Sequence, residues 1–292
     1  MTDQDSPIPG ADGPALTPQN VLNIEDDRYT HDAVALVTGA SSGIGCATAV
    51  ALAVNGCTVA ATDVDDDGLT ATVERANDLD AAADVDGSIR PITGDLTDDA
   101  DIQRIVDEAA ALGDLRFLAN VAGLQHVAPV EEFPAEQYDQ MQSVMLRAPT
   151  LLAKHAVSHI RDAGGGAVGN MASVHGHYTT SNKVAYNVCK FGLRGLTQSL
   201  AAEGDGVVRA FSVSTGYVST PLVTNQIPDT AAQRDLTEQE VVEDVMLGQS
   251  RTKRMMSPVE VANLFVFGFS RHAKHLNGGD LLFDGGMTTT YE

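Results

Sequence analysis

A tyrosine and a lysine four residues apart are the first candidates for chemistry in this chain. Tyr186 and Lys190 lie in a segment of strongly helical periodicity, so both side chains are expected on one helix face. Ser173 precedes the tyrosine by 13 residues, at the end of a predicted strand. An ammonium beside a phenol favours the phenolate and is expected to lower the tyrosine pKa from about 10. Tyr186 could then take the proton of an alcohol while the alcohol carbon loses a hydride, and Ser173 could hold the alcohol oxygen. These three residues therefore predict the interconversion of an alcohol and a carbonyl.

A glycine-rich turn supplies a matching cofactor signal. The first predicted strand runs into T-G-A-S-S-G-I-G, residues 38–45, and a helix follows. Its glycines permit a tight turn and close approach of a pyrophosphate, whose charge meets the helix N-terminus. Asp63 ends the second predicted strand, where a carboxylate accepts hydrogen bonds from ribose hydroxyls and repels a 2′-phosphate. No arginine or lysine stands between Thr58 and Thr70, so the sequence predicts NAD rather than NADP.

These candidates fall at the ends of short apolar runs that alternate with amphipathic segments. The apolar runs predict strands over residues 33–38, 57–62, 88–93, 115–120, 166–172, 207–213 and 280–284. Apolar residues at three- and four-residue spacing predict helices over 43–55, 66–79, 98–111, 135–161, 183–203 and 258–269. This alternation predicts an α/β fold, a Rossmann-type doubly wound parallel sheet of about seven strands. Ligand then belongs at the carboxyl ends of the strands.

Two segments fall outside this alternation. Residues 1–31 are polar, acidic and punctuated by proline and glycine, so we expect a disordered acidic tail or a loosely docked arm. Residues 32–292 then form a single NAD-binding catalytic domain. Within it, residues 221–257 have helical character and no strand, and a long insertion beside a site often acts as a lid. A surface helical hairpin without a gating role is the alternative.

The charge balance excludes several classes of partner. The chain carries 40 acidic and 18 basic residues, a formal net charge of -22, which repels nucleic acid and anionic membranes. No long apolar run predicts a membrane-spanning helix, and the N-terminus lacks the pattern of a secretory signal. Three scattered cysteines predict buried thiols in a reducing cytoplasm. The acidic surface further predicts adaptation to high salt, where self-repulsion is screened.

Taken in order, these motifs resemble those of the short-chain dehydrogenase/reductase family. The likeness covers residues 33–286 and includes T-G-A-S-S-G-I-G, N-V-A-G, the serine, Y-N-V-C-K and N-G-G-D-L-L-F-D-G-G. It implies an NAD-dependent oxidoreductase with Ser173, Tyr186 and Lys190 as catalytic residues. It also implies a homotetramer that uses the last strand and the fourth and fifth helices. The cofactor-binding residues expected are Gly39, Ser41, Ser42, Gly43, Ile44, Gly45, Asp63, Asp95, Leu96, Asn120, Ala122, Gly123, Tyr186, Lys190, Gly216, Val218 and Thr220.

Four loop segments are similar to those of D-3-hydroxybutyrate dehydrogenases within this family. They are N-V-A-G-L-Q-H, S-V-H-G, S-N-K-V-A-Y and T-P-L-V-T-N-Q-I, and in those enzymes they bind the substrate carboxylate through side chains that match Gln125, His175, Lys183 and Gln226. A small anion in a chain of this charge needs a local cation and neutral donors, which these residues supply. The resemblance implies reversible oxidation of (R)-3-hydroxybutyrate to acetoacetate. The alternatives are an enzyme for another small hydroxy acid, sugar or ketone, and a non-catalytic NAD(H)-binding regulator.

Three positions depart from the family pattern. Met145 stands where the family usually has an asparagine in its fourth helix, Thr215 replaces the proline of a Pro-Gly pair, and Val121 replaces the second asparagine of N-N-A-G. The family asparagine is associated with a helix kink and a water that links the lysine to solvent. A thioether cannot replace its hydrogen bonds, which predicts an altered proton relay. His175 and His177 lack a third ligand in sequence, so we expect hydrogen-bonding roles and no metal.

Overall fold

Seven parallel strands form the centre of the structure. The computed structural model describes residues 13–83 and 87–290. Every strand bound lies within two residues of the expectation, because runs such as the first strand are buried along their whole length. The strands are β1 (Ala33–Thr38), β2 (Thr58–Asp63), β3 (Ser88–Thr93), β4 (Asp114–Asn120), β5 (Gly166–Met171), β6 (Val208–Thr215) and β7 (Asp280–Phe283).

The strand order shows where a ligand site should lie. Hydrogen bonds join the strands in the order β3-β2-β1-β4-β5-β6-β7, and all six neighbouring pairs are parallel. The winding reverses between β1 and β4, which opens a crevice at the carboxyl ends of these two strands. The expected Rossmann-type doubly wound sheet of seven strands is confirmed.

Helices cover both faces of the sheet. Alternate residues of β1 enter two separate cores. Ala35 and Val37 share one core with the helices over residues 43–54 and 258–269. Val34 and Leu36 share the other with the helices over residues 99–111 and 148–162. Within the described residues, no helix has both the length and the apolar character needed to cross a bilayer. The helices are α1 (Gly43–Val54), α2 (Asp66–Ala83), α3 (Asp99–Ala111), α4 (Ala135–Gln142), α5 (Ala148–Asp162), α6 (Val184–Glu203), α7 (Pro221–Thr224), α8 (Ile227–Arg234), α9 (Glu238–Glu240) and α10 (Pro258–Phe269).

The long helix expected over residues 135–161 is present, but one of its turns is not α-helical. A π-helical turn, Ser143–Arg147, lies between α4 and α5 without a gap in the helix. Pro149 explains this turn, since it lacks the N–H that would bond to the carbonyl of Met145 in a regular α-helix. The wider turn carries Met145 fully buried towards the loop that follows β4. Pro149 was a visible signal of this irregularity, which the expectation of a regular helix did not include.

The segment expected to form a lid is a chain of short elements. It contains α7, α8, α9 and a π-helical turn, Val241–Met246, which pack around their own small cluster of buried residues that includes Ile227 and Val242. A single parallel bridge joins Val218 to Met256 at the base of this segment. The lid segment is thus tied at both ends to the cavity side of the sheet.

The expected N-terminal tail is in part an ordered arm. Residues 1–12 lie outside the described residues. Residues 13–31 pack across α1 and α10, where Val21 and Tyr29 are buried in the same core as these helices. This attachment is closer than the loose docking expected from the polar composition, because a few apolar side chains and several backbone hydrogen bonds are enough to hold the arm.

Candidate active site

A cavity of about 550 Å³ opens at the carboxyl ends of the strands. Two glycines shape its edge. Gly39 has a φ of +68°, and a Cβ added there would lie 2.8 Å from the Cα of Ala122. A Cβ added at Gly45 would lie 2.0 Å from the carbonyl oxygen of Gly39. Only glycine fits this turn, and the N-terminus of α1 follows it, so the turn presents backbone N–H groups suited to the pyrophosphate of a dinucleotide.

Every predicted cofactor-binding residue except Asn120 lines this cavity. Asn120 is 4% exposed, and its Nδ2 donates to Oδ1 of Asn170 at 2.8 Å. Asn170 in turn donates to Oγ1 of Thr197 at 2.9 Å, which links β4 and β5 to α6. Asn120 is the last residue of β4, and helices cover both faces of this strand. Its amide therefore lies in the protein interior. Asn120, which was predicted to bind the cofactor, is therefore an internal link and does not line this cavity.

Asp63 stands at the end of β2 with its carboxylate held by backbone groups. It accepts hydrogen bonds from the N–H groups of Ser41 at 3.2 Å, Val64 at 2.8 Å and Asp65 at 3.2 Å. These bonds fix a half-buried carboxylate on the cavity wall beside the glycine-rich turn. Among the residues that the structure describes, Lys190 is the one basic side chain on that wall. The end of the cavity near Asp63 is therefore acidic.

Ser173, Tyr186 and Lys190 meet at the opposite end of the cavity. Ser173 lies just beyond β5, and the other two project from the first turns of α6. Nζ of Lys190 lies 5.2 Å from the ring centroid of Tyr186 and donates to the carbonyl oxygen of Met171 at 2.7 Å. The structure thus brings the three predicted catalytic side chains to one place, as an alcohol–carbonyl redox step requires.

Burial dominates the protonation of this trio. It raises the pKa of Tyr186 to about 12, and a hydrogen bond with Ser173 opposes the rise. Burial also lowers the pKa of Lys190 to about 8. The expectation that Lys190 lowers the pKa of Tyr186 was therefore wrong for the protein alone, because removal of the phenolate from water outweighs nearby charge. Lys190 itself can lose or gain a proton close to neutral pH.

A second, smaller pocket of about 50 Å³ adjoins the trio, and Ser173 and Tyr186 line both cavities. All four predicted substrate-binding residues line it, although they come from four separate loops. Gln125 has a buried Oε1 without a hydrogen-bond partner among the described residues, and Gln226 donates to the carbonyl oxygen of Leu222. The four residues that the structure gathers here are Gln125, His175, Lys183 and Gln226.

Lys183 is the positive group of the small pocket. Burial, and to a smaller extent the charge of Arg234 on the lid segment, together lower its pKa to about 8. Burial also lowers the pKa of His175 to about 4, with Lys183 and Lys190 adding to the shift. His175 is therefore neutral at physiological pH, and its Nε2 lies 3.0 Å from Oγ1 of Thr180. At neutral pH the pocket offers one cation and several neutral polar groups, which suits one carboxylate.

Sequence reasoning missed Tyr217 as part of this pocket. Its ring lines the pocket, lies 5.9 Å from Nζ of Lys183 and packs against the buried cluster of the lid segment. A cation above an aromatic face is attracted by the ring quadrupole. The signal that could have found Tyr217 is its place directly after Gly216, at the carboxyl end of β6.

Met145 occupies the position expected for an asparagine, and its surroundings differ accordingly. Its sulfur accepts a hydrogen bond from the N–H of Leu124 at 3.4 Å, next to Gln125 of the small pocket. The π-helical turn thus forms here without an amide side chain at this position. The lysine of the trio meets the carbonyl of Met171 instead of a group on this helix.

The two histidines considered for a metal have other partners. Nε2 of His177 lies 2.8 Å from Oδ2 of Asp280, whose other oxygen accepts from Ser214 at 2.9 Å. In the part of the chain that the structure describes, no three histidine, cysteine or acidic side chains are grouped as metal ligands. The pairing of His177 with Asp280 ties the loop after β5 to β7.

Comparison with known proteins agrees with this geometry. The family model described as "Enoyl-(Acyl carrier protein) reductase" matches residues 39–288. A D-beta-hydroxybutyrate dehydrogenase of Rhizobium meliloti (strain 1021) is 34% identical over 257 residues, which cover 87% of this chain and 98% of that protein. Among solved structures, levodione reductase has a TM-score of 0.82 at 29% identity, covering 90% of this chain and 100% of that one.

L-Sorbose reductase from Gluconobacter frateurii, solved with NADPH and L-sorbose, has a TM-score of 0.81 at 26% identity over 90% of this chain and 98% of that one. The similar proteins therefore share the fold and differ in the molecules that they are named for. The match of a family model to most of the chain and the extent of the 34% identity decide the classification. The chain belongs to the short-chain dehydrogenase/reductase family of oxidoreductases, whose fold binds a nicotinamide cofactor.

Proposed function

We propose that this protein oxidises a small 3-hydroxy acid, (R)-3-hydroxybutyrate, to acetoacetate with NAD, and catalyses the reverse reaction. The observation that carries this proposal is the small pocket beside the trio, in which the partly buried Lys183 lies among neutral polar side chains. Among the described residues, none that line this pocket carries a carboxylate, and an ammonium withdrawn from water without such a partner is costly. The carboxylate of a substrate would compensate for that cost. The short reach from this pocket to Tyr186 favours an acid of only a few carbons.

The residues of the trio have separable roles in this reaction. Ser173 would donate to the substrate oxygen and hold it beside the side-chain oxygen of Tyr186. As phenolate, Tyr186 would take the hydroxyl proton during oxidation, and as phenol it would return that proton during reduction. In the protein alone, burial keeps that phenol protonated. Lys190 lies next to the phenol, and its ammonium is the charge that would oppose this effect of burial. The residues that line the larger cavity would hold a nicotinamide, which when bound would supply the hydride acceptor for oxidation and the hydride donor for reduction. The pocket residues fix the carboxylate, so that only one face of the substrate carbon turns towards that cavity.

The preference for NAD rests on Asp63. Its carboxylate is held on the cavity wall by three N–H groups and cannot swing away easily. A 2′-phosphate there would meet a fixed negative charge, whereas ribose hydroxyls could donate to it. The L-sorbose reductase solved with NADPH shows that the fold accepts the phosphorylated cofactor, so the acidic residue of this chain is the basis of the proposal.

An assay of NAD reduction in molar salt tests the function. It compares both enantiomers of 3-hydroxybutyrate with neutral alcohols of the same length and with sugar alcohols. Lys183→Met should lower kcat/KM for the acid on the order of a hundredfold, the loss expected for a charge-assisted hydrogen bond. Lys154→Met, at an exposed position on α5, is the matched control and should have no effect.

Two outcomes would contradict the proposal. If Lys183→Met and the unchanged protein were equally active on the best substrate, Lys183 would not bind a substrate carboxylate. Binding of NADH without turnover of any alcohol would instead support a regulatory protein.

A further inference from the structure

The arm formed by residues 13–31 is joined to two helices by a pair of asparagine side chains. The N–H of Leu22 donates to Oδ1 of Asn263 at 2.7 Å, and Nδ2 of Asn263 donates to the carbonyl of Asn20 at 2.9 Å. Asn55 repeats this pattern one step further on, accepting from the N–H of Ile24 and donating to the carbonyl of Leu22, both at 2.9 Å. Each amide therefore pairs with the arm backbone as a neighbouring strand would. One asparagine belongs to α10, and the other ends α1.

The following residues of the arm hold the last turn of α10. Nη2 of Arg28 donates to the carbonyl of Phe269 at 2.9 Å, and the hydroxyl of Tyr29 donates to the carbonyl of Val266. Asp26, 7% exposed, accepts from the guanidinium of Arg28 and from the backbone N–H of Arg271. The carbonyl of Phe269, at the helix C-terminus, has no partner within α10 and accepts from Arg28 of the arm and from Arg209. The carbonyl of Val266 already accepts from the N–H of Ser270, so Tyr29 is a second donor to it.

The first described residues of the arm reach the cofactor side of the molecule. Gly13 lies against Ser257, directly before α10, so closely that an added Cβ would be 2.6 Å from its Cβ. Residues 13–16 form one wall of a cavity of about 460 Å³, and Ser41, Ser42 and Gly43 of the glycine-rich turn form part of the opposite wall. The arm therefore extends along α10 from its end to its beginning, behind the cofactor-binding turn.

Of the two helices that the arm joins, α1 begins at the cofactor cavity, and α10 begins beside a loop that lines it. α1 starts with Gly43 of the glycine-rich turn. The residue two before α10, Met256, accepts from the N–H of Ser219 at 2.8 Å and donates to the carbonyl of Tyr217 at 3.0 Å. That loop also carries Val218 and Thr220 on the cavity wall. The relative position of α1 and α10 thus sets the spacing between two walls of the cavity.

We propose that residues 13–31 are a positioning element of the cofactor site, which acts by clamping α1 against α10 through Asn55 and Asn263. The arm lies outside residues 39–288, the range that the family model matches. In the protein without ligand, the arm keeps the glycine-rich turn ordered. A more ordered turn loses less conformational freedom when a dinucleotide binds, and binding is correspondingly tighter.

Asn263→Ala tests the proposal because it removes both hydrogen bonds that the Asn263 side chain makes to the arm. Titration with NADH should show a Kd increased by about fivefold, at the low end of couplings between separate sites. Amide hydrogen exchange of residues 39–45 in the protein without ligand should become faster. Asn77→Ala on α2 is the matched control, since Asn77 is exposed and its side chain has no hydrogen bond to another described residue. Neither quantity should change in the control.

A second variant tests the same contact from the arm. Leu22→Pro removes the N–H that Asn263 accepts, and the side chain of Leu22 is itself largely exposed. If Leu22 and Asn263 act through this one contact, the variant that combines Leu22→Pro with Asn263→Ala should weaken NADH binding no more than Asn263→Ala alone. The opposite result would be a lower melting temperature with an unchanged Kd and unchanged exchange in residues 39–45. That result would show that the arm stabilises the fold without affecting the cofactor site. It would overturn the proposal, whatever the substrate of the enzyme.

Discussion

Lys190 donates a hydrogen bond from Nζ to the carbonyl oxygen of Met171 at 2.7 Å. The bond joins α6 to the last residue of β5 and holds the ammonium beneath the ring of Tyr186. Burial lowers the pKa of this lysine to about 8 and raises that of the tyrosine to about 12. Burial thus shifts the two pKa values in opposite directions, and in both groups it favours the uncharged form. A change in either pKa alters the proton transfer that the reaction needs.

Loss of the Tyr186 hydroxyl should abolish most of the activity while leaving the cofactor site intact. For Tyr186→Phe we expect kcat to fall by about a hundredfold to ten-thousandfold, the range for loss of a general acid–base group. Kd for NADH, measured by fluorescence titration, should change little. Tyr178→Phe is the control, since it removes a nearby hydroxyl that bonds to Met287. A Tyr186→Phe protein that retained a tenth of the activity would contradict the assignment.

The affinity for an acid substrate should decline as pH rises past about 8. Burial lowers the pKa of Lys183 to about 8, so its ammonium is present below that pH and is lost above it. Because an anionic substrate needs the ammonium, KM for the acid should rise above pH 8. KM for a neutral alcohol should stay constant, which separates Lys183 from Lys190. In Lys183→Met, KM for the acid should be high and independent of pH, and a persisting rise would point to another group.

Substitution of Asp63 should shift the cofactor preference. Asp63→Asn removes the charge that opposes a 2′-phosphate while an amide of the same shape remains. We expect kcat/KM for NADP to rise by about tenfold and that for NAD to fall a few-fold, as one charged contact changes. Asp67→Asn, at an exposed position close by, should leave both unchanged. If Asp63→Asn kept the original ratio of the two cofactors, another part of the cavity would determine it.

The sequence predicted the layers of this fold better than its local irregularities. β1 was placed without error because every one of its residues is buried, and continuous burial produces a continuous apolar run. The small pocket was predicted through resemblance, since Gln125 and Gln226 are far apart along the chain. The position of Asn120 between strands and the raised pKa of Tyr186 depend on burial by distant segments, which local sequence does not record.

Met145 should position the loop that carries Gln125. Met145→Leu keeps a similar apolar volume in a fully buried position but removes the sulfur that accepts the N–H of Leu124. We expect a melting temperature within a few degrees of the original and a several-fold higher KM for the acid, because the small pocket loses a support. Met145→Asn, which restores an acceptor, should recover the KM. An unchanged KM in Met145→Leu would show that the sulfur contact has no role in substrate binding.

The acidic surface should make the fold dependent on salt. With a formal net charge of -22, exposed runs such as Asp65, Asp66 and Asp67 repel one another at low ionic strength. The screening length grows from about 3 Å at 1 M salt to about 30 Å at 0.01 M, so desalting extends this repulsion across the molecule. Circular dichroism should therefore show a falling melting temperature, and then loss of structure, as sodium chloride is removed. Sucrose at equal osmolality stabilises compact states without screening charge, and it should restore less of the melting temperature than the salt does. A melting temperature that stayed constant from molar to millimolar salt would show that the carboxylates are too well solvated for their repulsion to matter.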